Sequence, residues 1–433
     1  MNRSGPLLLA TLAIAACAGP RGLAGGETTT TPPVAPTTVS STTTTKPPTT
    51  TTTLPTVLVT GKVARPDGTP VARAVVQMGE LRSTTGPDGW FSFETSAPTS
   101  MTVHKPGWST AEVGYDRSAA FLNVTMSPQT IRGIRVSPES AGSDEAFAAL
   151  LGLARDTAVN ALVFDTKREG GNVLYDTTVT DAHEIGSVSA HYDARERVAQ
   201  AHEAGLYVIT RIVAFEDGAR VSSRPEEKLA GAWLDPTSET ARRYILDLAI
   251  EACEIGFDEI QFDYVRYPAG RTAEVSGQND LTQEQRVTAI ASFLSAARDA
   301  LHALGCAVSA DVFGIVVSTP DDQGLGQRPE ELSAQIDALS PMIYPSHYSL
   351  GWLGFADPND HPYDVTADAI RDSLPRLDDG AILRPWLQAF WWTDAQIRSS
   401  IQAAEDLGVG WMLWNILSNF DPAAIPTDAE VGP

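Results

Sequence analysis

At 433 residues the chain is long enough for two or three domains and one large core, and it needs no covalent staples to fold. Its formal net charge of -23, from 31 basic and 54 acidic side chains, argues against a nucleic-acid partner, which requires a basic patch to displace counterions. Three cysteines, Cys17, Cys253 and Cys306, do not make a disulfide framework.

The chain opens with Arg3, an apolar run from Leu7 to Ala13, and then Ile14-Ala15-Ala16-Cys17. Such a run is too short to span a bilayer and has the form of a cleaved export signal. Its end resembles the bacterial lipobox, which implies cleavage after residue 16 and an acylated Cys17 heading the mature protein. The alternative is an ordinary signal with a chance cysteine, and either way the chain is expected to be exported. With Cys17 acylated, the protein is expected at the extracytoplasmic face of the cell membrane, held by lipid. Residues 17–56 follow as a stalk, almost wholly Thr and Pro from residue 27 onward. Too little apolar side chain is present there to offset the entropy of ordering, so an extended spacer is expected.

From residue 57 to 127 the pattern changes to short alternating runs such as Val57-Leu58-Val59, Ala74-Val75-Val76 and Trp90-Phe91-Ser92-Phe93. The turn signals Pro66-Asp67-Gly68 and Pro87-Asp88-Gly89 separate them, and a small antiparallel sandwich follows. Gly61-Lys62-Val63, Ala74-Val75-Val76 and Asp88-Gly89-Trp90-Phe91 resemble the carboxypeptidase-regulatory-like, prealbumin-type module. That resemblance implies an accessory or presenting domain.

Between residues 131 and 425 eight apolar strand-like runs alternate with amphipathic helical stretches, the pattern of an α/β chain folded as a (β/α)8 TIM barrel. The runs are 133–136, 161–165, 207–213, 259–263, 307–311, 341–344, 382–387 and 410–414. The helical stretches are 144–156, 193–204, 238–254, 283–304, 329–339, 366–374 and 394–407. No Gly-rich phosphate turn follows the first strand, which removes the doubly wound alternative. Cys253 and Cys306 fall before adjacent strands four and five, where a disulfide is conceivable; two inert buried thiols are the expectation.

In such a barrel the strand ends carry Asp165, Arg211, Asp263, Asp311, Tyr344 and Asn415 to one rim. Period-two alternation sets Glu259, Gln261 and Asp263 on a face that a dry core does not accept. Glycoside hydrolysis needs two carboxyls, one to protonate the leaving oxygen and one to act as nucleophile or base. Asp263 and Asp311 head neighbouring strands and are the expected pair. The structural alternative for Asp263 is an ion pair with Arg266. His347 and the strand-end aromatics Trp392 and Trp414 are candidates for sugar contact, while Trp411 is assigned to packing. No His/Cys spacing suits a metal, and no Gly-x-Ser-x-Gly elbow is present; no metal and no cofactor is expected.

The segment Phe257-Asp258-Glu259-Ile260-Gln261-Phe262-Asp263-Tyr264-Val265-Arg266-Tyr267-Pro268 is the most specific in the chain. With Asn160 to Lys167 and Ala204 to Asp217, it resembles the bacterial putative glycosyl hydrolase domain family over roughly residues 131–420. The resemblance implies a glycosidase-type barrel and carries Asp165, Lys167, Arg211, Asp263 and Arg266 as motif positions. It departs at Arg168-Glu169, where an acidic residue is expected directly after the lysine. The expectation is a surface-anchored glycoside hydrolase cleaving O-glycosyl bonds of an envelope or extracellular polysaccharide. Asp263 and Asp311 are its catalytic residues, and Asp165, Lys167, Arg211, Gln261, Arg266, Tyr344, His347, Trp392, Trp414 and Asn415 contact the substrate. The alternatives are a non-catalytic glycan-binding lipoprotein on a degenerate barrel and a purely structural envelope protein.

Overall fold

The computed structural model describes residues 55–106, 108–115, 121–127, 129–378 and 380–431. The expected signal segment, Cys17 and all but the last two residues of the Thr/Pro stretch lie outside the described residues.

The first unit is a two-sheet sandwich. Strands β1 (Val57–Ala64), β4 (Trp90–Thr95) and β7 (Leu122–Thr125) form one sheet, in the order β4-β1-β7. The other contains β2 (Val75–Met78), β3 (Leu81–Thr84), β5 (Met101–His104) and β6 (Ala111–Val113), ordered β3-β2-β5-β6. Alternate residues of β1 and β4 turn inward, so Val59, Val63, Phe91 and Phe93 meet Val76 and Val103 of the facing sheet in one core. One pairing differs from the antiparallel expectation: β7 runs parallel to β1. Gly61 is required where the two strands flank it, since a Cβ there would lie 2.4 Å from the Phe91 ring and 2.6 Å from the Leu122 carbonyl oxygen.

The second unit is a closed (β/α)8 barrel. Its strands are β8 (Arg132–Arg135), β9 (Ala161–Lys167), β10 (Tyr207–Val213), β13 (Glu259–Asp263), β14 (Ala307–Phe313), β15 (Ala338–Ile343), β16 with β17 (Ile382–Leu383 and Trp386–Gln388) and β18 (Trp411–Trp414). A short hairpin, β11 (Lys228–Ala230) and β12 (Trp233–Leu234), sits in the loop after β10. All barrel pairings are parallel, and the ring closes through β14–β15 and β18–β8. The major helices of the outer layer are α1 (Asp144–Asp156), α2 (Ala194–Glu203), α3 (Glu239–Ile255), α4 (Gln283–Leu304), α5 (Pro362–Ser373) and α6 (Asp394–Asp406). A capping box of Thr282 and Gln285 starts α4, and Gly305, at φ +99°, ends it.

Two strands depart from the sequence expectation. β15 begins three residues before Pro341, inside the stretch expected as helix to residue 339, where only Pro329–Ser333 is helical. The seventh strand is broken between Leu383 and Trp386, where Arg384 turns into the barrel to pair with Glu259.

Alternation sorts each barrel strand into two environments. Ile260 and Phe262 face the helices, with Phe262 edge-on to Phe293 of α4 at 5.2 Å between centroids. Burying each such ring contributes roughly 1.5–3 kcal/mol. Glu259, Gln261 and Asp263 face inward. The interior is layered: the Glu259–Arg384 pair at the floor, with the Tyr207 hydroxyl donating to Glu259 at 3.2 Å. Val163, Ile209 and Met412 come next beside Gln261, whose amide donates to Ser340 at 3.3 Å. The carboxylates lie at the top.

A bulge at the end of β9 changes one side chain's destination. Asp165 pairs in register with Arg211, but the next pairing is Lys167 with Ile212. The extra residue turns Lys167 from the interior to the helix side. There its ammonium is fully buried against Asp217 at 2.8 Å and the Val213 carbonyl at 2.7 Å.

The sandwich docks on the floor of the barrel. Arg73 donates to the carbonyl of Ala334 at 3.3 Å and Lys105 to that of Gly380 at 3.2 Å, both residues that precede barrel strands. Arg73 also approaches Asp378 at 3.4 Å.

Contrary to the expectation of inert thiols, Cys253 and Cys306 form a disulfide, with Cα atoms 5.9 Å apart. Both sit at the floor beneath adjacent strands β13 and β14, within the span a disulfide requires. The bond closes a 53-residue loop, for which chain entropy gives about 4 kcal/mol. Thermal melting of a Cys253→Ala/Cys306→Ala double variant should show a clear loss of stability, which added reductant reproduces in the wild type; equal melting curves would contradict it. Lys167→Met strands the buried Asp217 charge and should cost about 3–5 kcal/mol in denaturant melts, with Asp217→Asn in the same chain recovering part of it.

Candidate active site

Arg211 lies at the centre of the barrel mouth. Its guanidinium donates to Asp263 through Nε at 2.8 Å, to Asp165 through Nη1 at 3.1 Å and to Glu169 through Nη2. Arg135, from the first barrel strand, holds the other oxygen of Asp165. Trp414 provides a face to both arginines, with the Arg135 guanidinium 4.5 Å and that of Arg211 4.9 Å from its ring. Asp165 is therefore bracketed by two cations and fixes them in place.

Asp263 pairs with Arg211, not with Arg266. Its second oxygen accepts from the backbone N–H of Tyr264 at 2.6 Å. Tyr264 has φ +48°, a left-handed conformation that a bulky residue adopts only when its surroundings enforce it. The strain aims the N–H at the carboxylate. Arg266 is instead boxed by Trp233, Tyr264 and Phe313, at 4.6, 4.9 and 4.3 Å. Burial pulls its guanidinium down to about 10, so it stays charged at neutral pH.

Asp311 is one strand away. Phe262 and Ala310 are in register, so Asp263 and Asp311 each follow a paired residue at the head of adjacent strands. Asp311 is 1% exposed and accepts a hydrogen bond from the Trp386 indole at 2.9 Å. Burial, and then the charge of Asp263, push its carboxyl well above the usual carboxylate range. The local charge count adds to the burial: Asp165, Asp263 and Glu169 already draw on Arg211, whose pull on Asp311 does not offset it.

The remaining expected residues divide clearly. Tyr344 lies in the interior cluster against Trp386, and His347 sits edge-on to it at 5.3 Å on the exposed rim. Gln261 and Lys167 do not reach the mouth, the first lying a layer below and the second outside the barrel wall. Asn415 ties its own loop to the end of β17, donating to Ala389 and accepting from Leu417 and Asn419. Trp392 is tied down by Asn359, to which its indole donates at 2.7 Å. Trp411 is fully buried, as its assignment to packing expects.

Four residues at the mouth were not singled out from sequence. Trp391, at φ +59°, is 72% exposed and meets Phe390 edge-on at 5.0 Å, and Phe390 meets Tyr344 at 5.4 Å. An aromatic rail thus runs from the surface to the interior beside Asp311. Glu169 joins Arg211, and Glu216 accepts from the Gly170 N–H at 2.6 Å, with burial raising its carboxyl. The strand-plus-loop position of the two acids was the available signal. Among the described residues, no group of three His, Cys, Asp or Glu side chains is arranged to hold a metal ion.

An uncharacterised protein from Ruminiclostridium thermocellum ATCC 27405 is 31% identical, covering 41% of this chain and 97% of its own, with a TM-score of 0.36. The glycoside hydrolase domain of PgaB (BpsB) from Bordetella bronchiseptica is 13% identical, covering 67% of this chain and 95% of its own at a TM-score of 0.52, which bears on the fold alone. The catalytic domain of a beta-amylase from Paenibacillus polymyxa is 12% identical over 69% of this chain and 95% of its own, at 0.45. No curated protein matches the chain. Residues 133–420 match the family model described as putative glycosyl hydrolase domain, and the chain belongs to that family.

Proposed function

We propose that the protein is a glycoside hydrolase in which Asp263 is the nucleophile or base and Asp311 the general acid. The observation that carries this is the unlike environment of two neighbouring carboxyls. Asp263 is ion-paired with Arg211 and hydrogen-bonded by a strained backbone N–H, whereas Asp311 is buried and held well above the usual range. Environments that push two acids apart are what acid and base roles require. In the reaction Asp311 gives its proton to the leaving glycosidic oxygen as the C–O bond breaks. Asp263 either attacks the anomeric carbon or removes a proton from the attacking water. The aromatic rail of Trp391, Phe390 and Tyr344 supports a polysaccharide substrate, since pyranose C–H faces stack on such rings.

One observation favours a different acid: Glu216 is only partly buried, while Asp311 is almost closed to solvent. Product analysis on any polysaccharide hit from a glycan-array screen of the mature chain distinguishes the possibilities. Asp263→Asn should cut kcat by several orders of magnitude in a variant that still folds, with a lowered melting temperature as well, because it removes one carboxylate from the buried Arg211. With Asp311 as acid, kcat/KM falls as pH rises through its elevated pKa, because the protonated form is the active one, and Asp311→Asn abolishes that limb. Loss of the limb in Glu216→Gln alone transfers the role. Glycan binding without product in the wild type would establish the non-catalytic alternative.

For location, we propose that acylated Cys17 holds the protein at the extracytoplasmic face of the membrane, with an envelope or extracellular polysaccharide as substrate. Its support is Ile14-Ala15-Ala16-Cys17 followed by the Thr/Pro stretch. Cys17→Ser should leave the precursor uncleaved or release the protein to the medium; unchanged partitioning into detergent would overturn this.

A further inference from the structure

A second cavity, of about 390 Å³, lies at the junction of the two units, on the opposite end of the barrel from the mouth. Arg73, Arg82 and Ser83 of the sandwich face Arg298, Asp299 and His302 on α4 across it. Three guanidinium groups converge in a chain whose net charge is -23. Their local pairings leave cationic charge over. Arg298 holds Asp299 at 2.8 Å, Arg73 approaches Asp378 at 3.4 Å, and His302 is taken by Asp337 at 2.7 Å.

Arg82 has no such partner. Its Nε is buried without a hydrogen bond, as is the Nε of Arg73. Buried donors left unmade are costly, and these two, side by side in a cationic cavity, are open to an acceptor from solvent or a ligand. The wall is shaped to admit the Arg82 head group: a Cβ on Gly305 would lie 3.0 Å from that Nε. The negative end of the α4 dipole points toward the cavity and opposes an anion, but its partial charge is smaller than that of a single guanidinium.

We infer that this cavity binds a phosphate-bearing anion, with Arg82 as its principal ligand and Arg73 and Arg298 flanking it. The planar fork of a guanidinium matches the oxygens of a phosphate group, and donors from both units on one ligand lock the sandwich to the barrel. Free phosphate and a phosphodiester polymer share this chemistry. The inference is independent of the catalytic assignment, since no residue of the mouth takes part.

The test is isothermal titration of the full chain with inorganic phosphate at constant ionic strength, with chloride as control, and in parallel with a soluble poly(glycerol phosphate). Saturable binding of either probe is expected, weakened at least tenfold by Arg82→Gln and unchanged by Asp263→Asn. Tighter binding of the polymer identifies a phosphodiester as the ligand; binding of inorganic phosphate alone identifies the free ion. Should Arg82→Gln fail to fold, Arg298→Gln serves, with a smaller loss expected. No saturable heat with either probe, or undiminished binding in a folded Arg82→Gln variant, would overturn the inference.

Discussion

The mouth of the barrel depends on one buried cation. Arg211 reaches carboxylates from three different segments, Asp165 on its own strand's neighbour, Asp263 on the other side and Glu169 in a loop. Burial works against its charge, and the surrounding carboxylates outweigh burial, holding it well above its ordinary value. Isolating such a charge in a low dielectric is expensive unless every direction is answered, and here each is. The same interaction settles the electrostatics of its neighbours. With Arg211 shared among three acids, it does not offset the burial and the Asp263 charge that push the Asp311 carboxyl up.

Layering inside the barrel lets this arrangement coexist with a stable core. The floor contains the buried Glu259–Arg384 pair, the middle is mostly apolar, and the carboxylates with Arg211 form the top layer. Polar groups below the mouth are therefore structural, even though they share a strand face with Asp263. Gln261 is the clearest instance, two residues from a proposed catalytic acid and fully buried beside Ser340.

Much of the fold was legible because hydrophobic period and strand ends carry the information. Tyr207–Val213 and Glu259–Asp263 have the bounds that alternation predicts, and the helices 144–156 and 283–304 likewise. What was not legible turns on single backbone events. The bulge after Asp165 reverses Lys167, and no composition signal marks it. A left-handed residue at Trp391 exposes that ring, while the adjacent Trp392, the one expected to contact sugar, hydrogen-bonds Asn359. Arg266, three residues along the same segment, was the partner that sequence proximity offered for Asp263; strand adjacency, β10 beside β13, supplies Arg211 instead. The disulfide lay between the two cases, since position placed both cysteines at the floor and only the geometry showed them joined.

The docking of the sandwich beneath the barrel gives the molecule a polarity. Arg73 and Lys105 grip the ends of the strands where they begin, while the acids stand where the strands finish. The sandwich and the carboxylates thus occupy opposite ends of the barrel, so the accessory unit makes its contacts without approaching the mouth. A change in the sandwich therefore reaches the acids only through the barrel floor and the layers above it, not by direct contact.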